Sequence, residues 1–78
     1  MPTVLWADGY RFFFYSNEGN EPRHIHVEKG DGSGKYWLDP VAMSHAQGFS
    51  RSQLARIRDL VTEHADTFRR KWDEYFGK

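Results

Sequence analysis

Two histidines and a glutamate at alternate positions, His24, His26 and Glu28, are the side chains in this chain whose types and spacing could do chemistry. They lie in Pro22-Arg23-His24-Ile25-His26-Val27-Glu28. Successive side chains on a strand point to opposite faces, so the two imidazoles and the carboxylate share one face, and Ile25 and Val27 take the other. Paired imidazoles suit zinc or another divalent transition metal, with Glu28 as a third ligand and His45 or His64 as residues that could close the set. The same pair can serve as general acid and base near neutral pH, with Arg23 and Lys35 offering positive charge to a phosphodiester. That would make a small nuclease, with or without metal. A polar strand face with no chemistry is the remaining reading.

The elements that must position these residues can be read from pattern and punctuation. The runs at 3–6 and 10–15, rich in Val, Trp, Phe and Tyr, flank Asp8-Gly9, a dipeptide that favours the positive φ of a primed hairpin turn. Residues 16–22 have loop composition, 24–29 make a third strand, and 35–38 a fourth beyond the glycine-rich 30–34. That glycine run reads as a hairpin connection, because no helix opens after it as a phosphate-cradling loop requires. After Asp39-Pro40 a short edge segment fits 41–44, and His45 falls in a loop before the helix.

Ser50-Arg51-Ser52-Gln53 has the form of a capping box. From there Leu54, Ile57, Val61, Ala65, Phe68, Trp72 and Tyr75 recur every three or four residues. This predicts an amphipathic helix over 51–76, roughly 39 Å long at 1.5 Å per residue, or two helices broken near His64. His64 flanks the stripe as a partly buried histidine, and Trp37, Trp72 and Phe76 read as core. The expected fold is one α+β domain over 1–78: an antiparallel meander of three or four strands packed on a C-terminal helix.

Composition narrows the function classes. Eleven basic and eleven acidic residues cancel, so no net field draws in nucleic acid, and any such surface would be a local patch. On the helix the two signs interleave, as on a solvated face. There is no cysteine, hence no disulfide and no thiolate metal site. Thirteen aromatics, six Phe, four Tyr and three Trp, must therefore carry much of the packing. No apolar run approaches the roughly 18–20 residues of a membrane span, and the N-terminus lacks the pattern of a signal peptide, so a cytoplasmic location is expected.

Taken together, Phe12-Phe13-Phe14-Tyr15-Ser16-Asn17-Glu18, Glu21-Pro22-Arg23-His24-Ile25-His26-Val27-Glu28, Trp37-Leu38-Asp39-Pro40-Val41, Gly48-Phe49-Ser50, Trp72 and Tyr75-Phe76-Gly77 resemble the small bacterial proteins grouped as domain of unknown function 4160. The resemblance implies a short α+β protein and an operon setting similar to that of toxin–antitoxin pairs, hence a small companion protein or a homodimer as partner. It implies no activity, since the family carries none in its name. Two positions depart from the family pattern: Arg23 stands where a second proline commonly follows Pro22, and Gly19 where some members have a histidine. If that histidine is a ligand in those relatives, this chain would lack it. The leading expectation is an interaction protein of such a pair, and the alternative is a nuclease built on His24 and His26.

Overall fold

The computed structural model describes residues 3–77. Five strands, β1 (Thr3–Ala7), β2 (Tyr10–Phe13), β3 (His24–Lys29), β4 (Gly32–Leu38) and β5 (Val41–Gln47), form one antiparallel meander in sequence order, followed by α1 (Arg51–Glu63) and α2 (Ala65–Phe76). The α+β class is as expected. The sheet, however, has five strands where three or four were expected, and the C-terminal segment is two helices.

The β1–β2 hairpin closes on Asp8 and Gly9, both at positive φ (54° and 80°), with Ala7 opposite Tyr10. This is the primed turn that Asp-Gly favours. At β3–β4 the structure departs from expectation. The connection is only Gly30-Asp31, and Gly32, Ser33 and Gly34 belong to β4, opposite Lys29, Glu28 and Val27. Packing explains why glycines sit in a strand: a Cβ on Gly32 would come within 2.4 Å of the Phe49 ring and 2.9 Å of the Gly48 carbonyl. Close approach, not turn-making, is what this glycine supplies. β5 then runs through His45 to Gln47 as an edge strand, with a bulge that leaves Ser44 without a partner on β4.

One face of the sheet is the core. Tyr10 and Phe12 from β2, Ile25 and Val27 from β3, and Tyr36 and Leu38 from β4 pack on Ile57, Leu60, Val61, Phe68 and Trp72 from the helices. Phe12 meets Phe68 at a 5.2 Å ring separation. The capping box is present, with the Gln53 amide donating to Ser50 Oγ (3.1 Å) and the Ser50 amide donating to Gln53 Oε1 (2.8 Å). The helical run breaks at His64, whose φ of −104° and ψ of 14° lie outside the helical region. The hydrogen bonds from the His64 amide to the Leu60 carbonyl and from the Phe68 amide to the His64 carbonyl continue the ladder on either side. The stripe also ends differently from expectation. Tyr75 is 47% exposed, and Phe76 turns inward against Trp72 at 4.2 Å.

β2 is shorter than its aromatic run. It ends at Phe13 because Phe14 leaves the sheet to lie edge-on against Trp72, 5.3 Å away, where it is fully buried. From there residues 14–23 form a strap that sets Phe14 and Gly19 against α2 and Tyr15 and Glu18 against the histidine face before β3 begins. Among the described residues no helix is long and apolar enough to cross a membrane.

Candidate metal centre

β3 starts under this strap, which decides what its histidines meet. His24 pairs across the sheet with Trp37, and His26 lies between Phe13 on β2 and Lys35 on β4. Period-two alternation puts both imidazoles on the outer face as the sequence predicts, with ring centroids 5.1 Å apart. The outer face is not open to water at this point. His24 has no exposed surface and packs on Trp72 (4.7 Å) and Trp37 (5.7 Å), while Phe13 stacks on His26 at 5.5 Å and Tyr15 meets its ring edge-on at 4.6 Å.

The strap brings a carboxylate to the pair. Glu18 Oε1 lies 2.9 Å from Nε2 of His26 and 2.9 Å from Nε2 of His24, and its Oε2 lies 3.0 Å from His26. The Tyr15 amide donates to the same Oε1 at 3.2 Å, and the Glu21 amide donates to the Glu18 carbonyl at 3.1 Å, so Glu18 is held at both ends. One ligand atom from each of Glu18, His24 and His26 falls within a 4.8 Å set.

The two imidazoles are not equivalent. His24 Nδ1 is 2.9 Å from the Pro22 carbonyl, which can only accept, so Nδ1 carries a proton, and the tautomer this selects has its lone pair at Nε2. A backbone carbonyl fixing the tautomer in this way is the usual outer support of a metal-binding histidine. Nε2 itself is buried, and its short approach to Glu18 falls outside hydrogen-bond geometry, leaving it without a partner. His26, by contrast, hydrogen-bonds the carboxylate through Nε2.

Charge states follow from these surroundings. Burial of the His26 ring holds its pKa below the ordinary value, outweighing the attraction of Glu18, with the neighbouring His24 and Lys35 acting in the same direction as burial. Burial alone would raise the pKa of Glu18, but the contacts with His24 and His26 more than offset it and keep the carboxyl below its usual range. The Glu18 carboxylate is thus held ionised against the two imidazoles. N₂O sets of this kind, two imidazoles and a carboxylate, hold zinc in hydrolytic enzymes and non-haem iron in oxygenases, each leaving coordination positions open.

The other residues singled out by sequence are placed elsewhere. Glu28 is on the same face but pairs with Arg11 at 2.7 Å and is not in the cluster. Arg23 is held by Asp39 (2.8 Å) and Asp73 (2.9 Å), and Lys35 by Glu21 (2.8 Å) while lying over the Trp37 ring. His45 is exposed on β5, and His64 sits beside Glu63 at the helix break. Glu18 is the residue that sequence reasoning missed. A loop has no periodicity that would assign its side chain to the histidine face, and the available signal was only that an acid lay in a short connection returning to the histidine strand.

No curated protein and no solved structure matches the chain. A family model does, over residues 9–73 of 78, a span containing all three cluster residues, and the chain therefore belongs to the family described as Domain of unknown function (DUF4160).

Proposed function

We propose that this protein binds a divalent transition metal through Glu18, His24 and His26, and that metal binding underlies its activity. The observation that carries this reading is the buried Nε2 of His24. This atom has no hydrogen-bond partner, and a carboxylate oxygen lies 2.9 Å away but off the direction of a hydrogen bond. With the proton on Nδ1, this nitrogen and the carboxylate oxygen are both acceptors and do not attract each other, and a buried polar atom left unpaired costs about 1–3 kcal/mol. A divalent cation held by Glu18, His24 and His26 would give that nitrogen an electron-pair acceptor. With two nitrogens and one oxygen, zinc is the natural occupant, and iron, manganese and nickel are the chemical alternatives.

The metal-free acid–base alternative has less support. His24 is enclosed and cannot meet a substrate, and the cations it would need, Arg23 and Lys35, are already held by carboxylates. The nuclease alternative therefore needs the metal. A second reading, an interaction protein acting through a companion chain or a second copy in a bacterial cytoplasm, rests on the family resemblance. Trp6, 65% exposed on an edge strand, is the residue that favours it.

Titration of the untagged full chain with zinc chloride in a calorimeter, with elemental analysis after dialysis, tests the metal reading. One zinc per chain is expected. Changing an outer-shell partner typically costs about 10–100-fold in metal affinity, so removing a ligand by Glu18→Gln or by His24→Ala with His26→Ala should cost more than that. Absence of zinc binding in the natural chain, or full-strength binding by Glu18→Gln, overturns the assignment.

A further inference from the structure

We infer that metal occupancy of this centre fastens the 14–23 strap to the C-terminal turns of α2, so that the metal sets whether the end of α2 is docked or released. The inference rests on the metal reading above and extends it from binding to regulation.

Each ligand-bearing segment touches α2. His24 packs directly on Trp72. Arg23, the residue before it, is bonded to Asp73 at 2.9 Å. Gly19, the residue after the Glu18 ligand, lies so close under Phe76 that a Cβ there would come within 2.7 Å of the ring. Phe14, where the strap leaves β2, contacts Trp72 at 5.3 Å and Phe76 at 6.0 Å. The end of α2 is thus seated on a surface made by the strap, and the strap's middle is drawn onto β3 through Glu18. Besides Glu18, the strap is tied to the sheet by the Leu38 amide donating to the Arg23 carbonyl at 3.1 Å, by the Tyr15 ring against Phe13 and His26, and by the ion pairs Lys35–Glu21 and Arg23–Asp39, partly exposed groups that contribute little each.

A metal bonded to Glu18 on the strap and to two residues of β3 replaces a single carboxylate–imidazole hydrogen bond with coordinate bonds at both ends. Ligand binding shifts a docking equilibrium by its differential affinity for the two states, and the effect is reciprocal. Loss of α2 docking must then weaken metal binding, even where no ligand is touched.

Hydrogen exchange on the full chain, with and without zinc at concentrations fixed by the calorimetric titration, reads the coupling. Amide exchange in peptides covering 14–23 and 68–77 should slow together by about tenfold or more on adding zinc, while α1 changes little. Phe76→Ala supplies the reciprocal measurement, since it removes the ring over Gly19 and no ligand. Its zinc affinity should fall about fivefold or more, the lower end of ordinary coupling. Zinc binding with unchanged exchange at 68–77, or unchanged affinity in Phe76→Ala, overturns the coupling and leaves the metal site standing. Absence of zinc binding in the natural chain overturns both.

Discussion

The two faces of the sheet are buried by different physics. On the helix side, Phe12, Ile25, Val27, Tyr36 and Leu38 meet an apolar helical stripe, with Phe14 and Phe49 added from outside the regular elements. On the outer side, Phe13 and His24 are just as inaccessible, yet what covers them is an irregular strap, a carboxylate and neighbouring aromatics. The first face is stable because apolar area leaves water, whatever the solution contains. The second depends on a charged group meeting two imidazoles, so its stability should respond to metal and pH. The two faces meet at Trp72, which lies in the core cluster and also packs on His24.

Adjacent residues sharpen that contrast. Phe12 and Phe13 point to opposite faces, and both are buried. Phe12→Ala should cost about 3–5 kcal/mol, the range for removing a large aromatic from a packed core. That is a large share of the stability of a 78-residue domain, and the loss should be the same with or without zinc. Phe13→Ala removes a ring that stacks on His26, meets Tyr15 at 5.2 Å and lies under the Arg11 guanidinium at 4.2 Å. Here the cost should be smaller, about 1–3 kcal/mol, because the partners are polar-edged and partly exposed and can relax. It should also lower zinc affinity. Urea unfolding of both variants with and without zinc checks the pair. Equal zinc dependence in the two would erase the distinction between the faces.

The same contrast explains what was legible in the sequence. The core face was readable because period two along 24–29 and period three to four along 51–76 both report burial against a regular partner. The shared face of His24 and His26 came from the same periodicity. Gly32 and Gly34 were read as loop because a glycine-rich run normally means a turn, while here tertiary packing of Phe49 and Ala46 against the strand makes bulk intolerable. β5 was under-read because Ser44 is bulged out of the ladder, which interrupts alternation midway. Glu18 could not be placed by pattern, since its position depends on how a strap folds back and on the Tyr15 amide that catches it. Glu28, which pattern did place, is on the correct face but is taken up by Arg11.

The smallest effect lies where the two faces meet, at the Asp39 carboxylate between β4 and β5. Arg23 hydrogen-bonds it, and Arg69 on α2 approaches at 2.8 Å. Chiefly through Arg23, with Arg69 adding to it and burial opposing, its pKa is held below the ordinary 3.8. A carboxyl whose folded-state pKa is depressed binds its proton more readily when unfolded. The stability it contributes is therefore complete above about pH 4 and is lost as pH falls through the folded-state value. Because the side chain is 44% exposed, solvent screening keeps this contribution modest. Asp39→Asn mimics the protonated form, so the stability difference between it and the natural chain should be constant from pH 7 to 5 and shrink toward zero below pH 4. Both chains carry the same Glu18, His24 and His26, so any titration of that cluster cancels in the difference. A gap that persists unchanged to pH 2.5 would show that Asp39 contributes through shape or backbone contacts and not through its charge, and that the ion pairs joining strap, sheet and α2 at this corner do not depend on it.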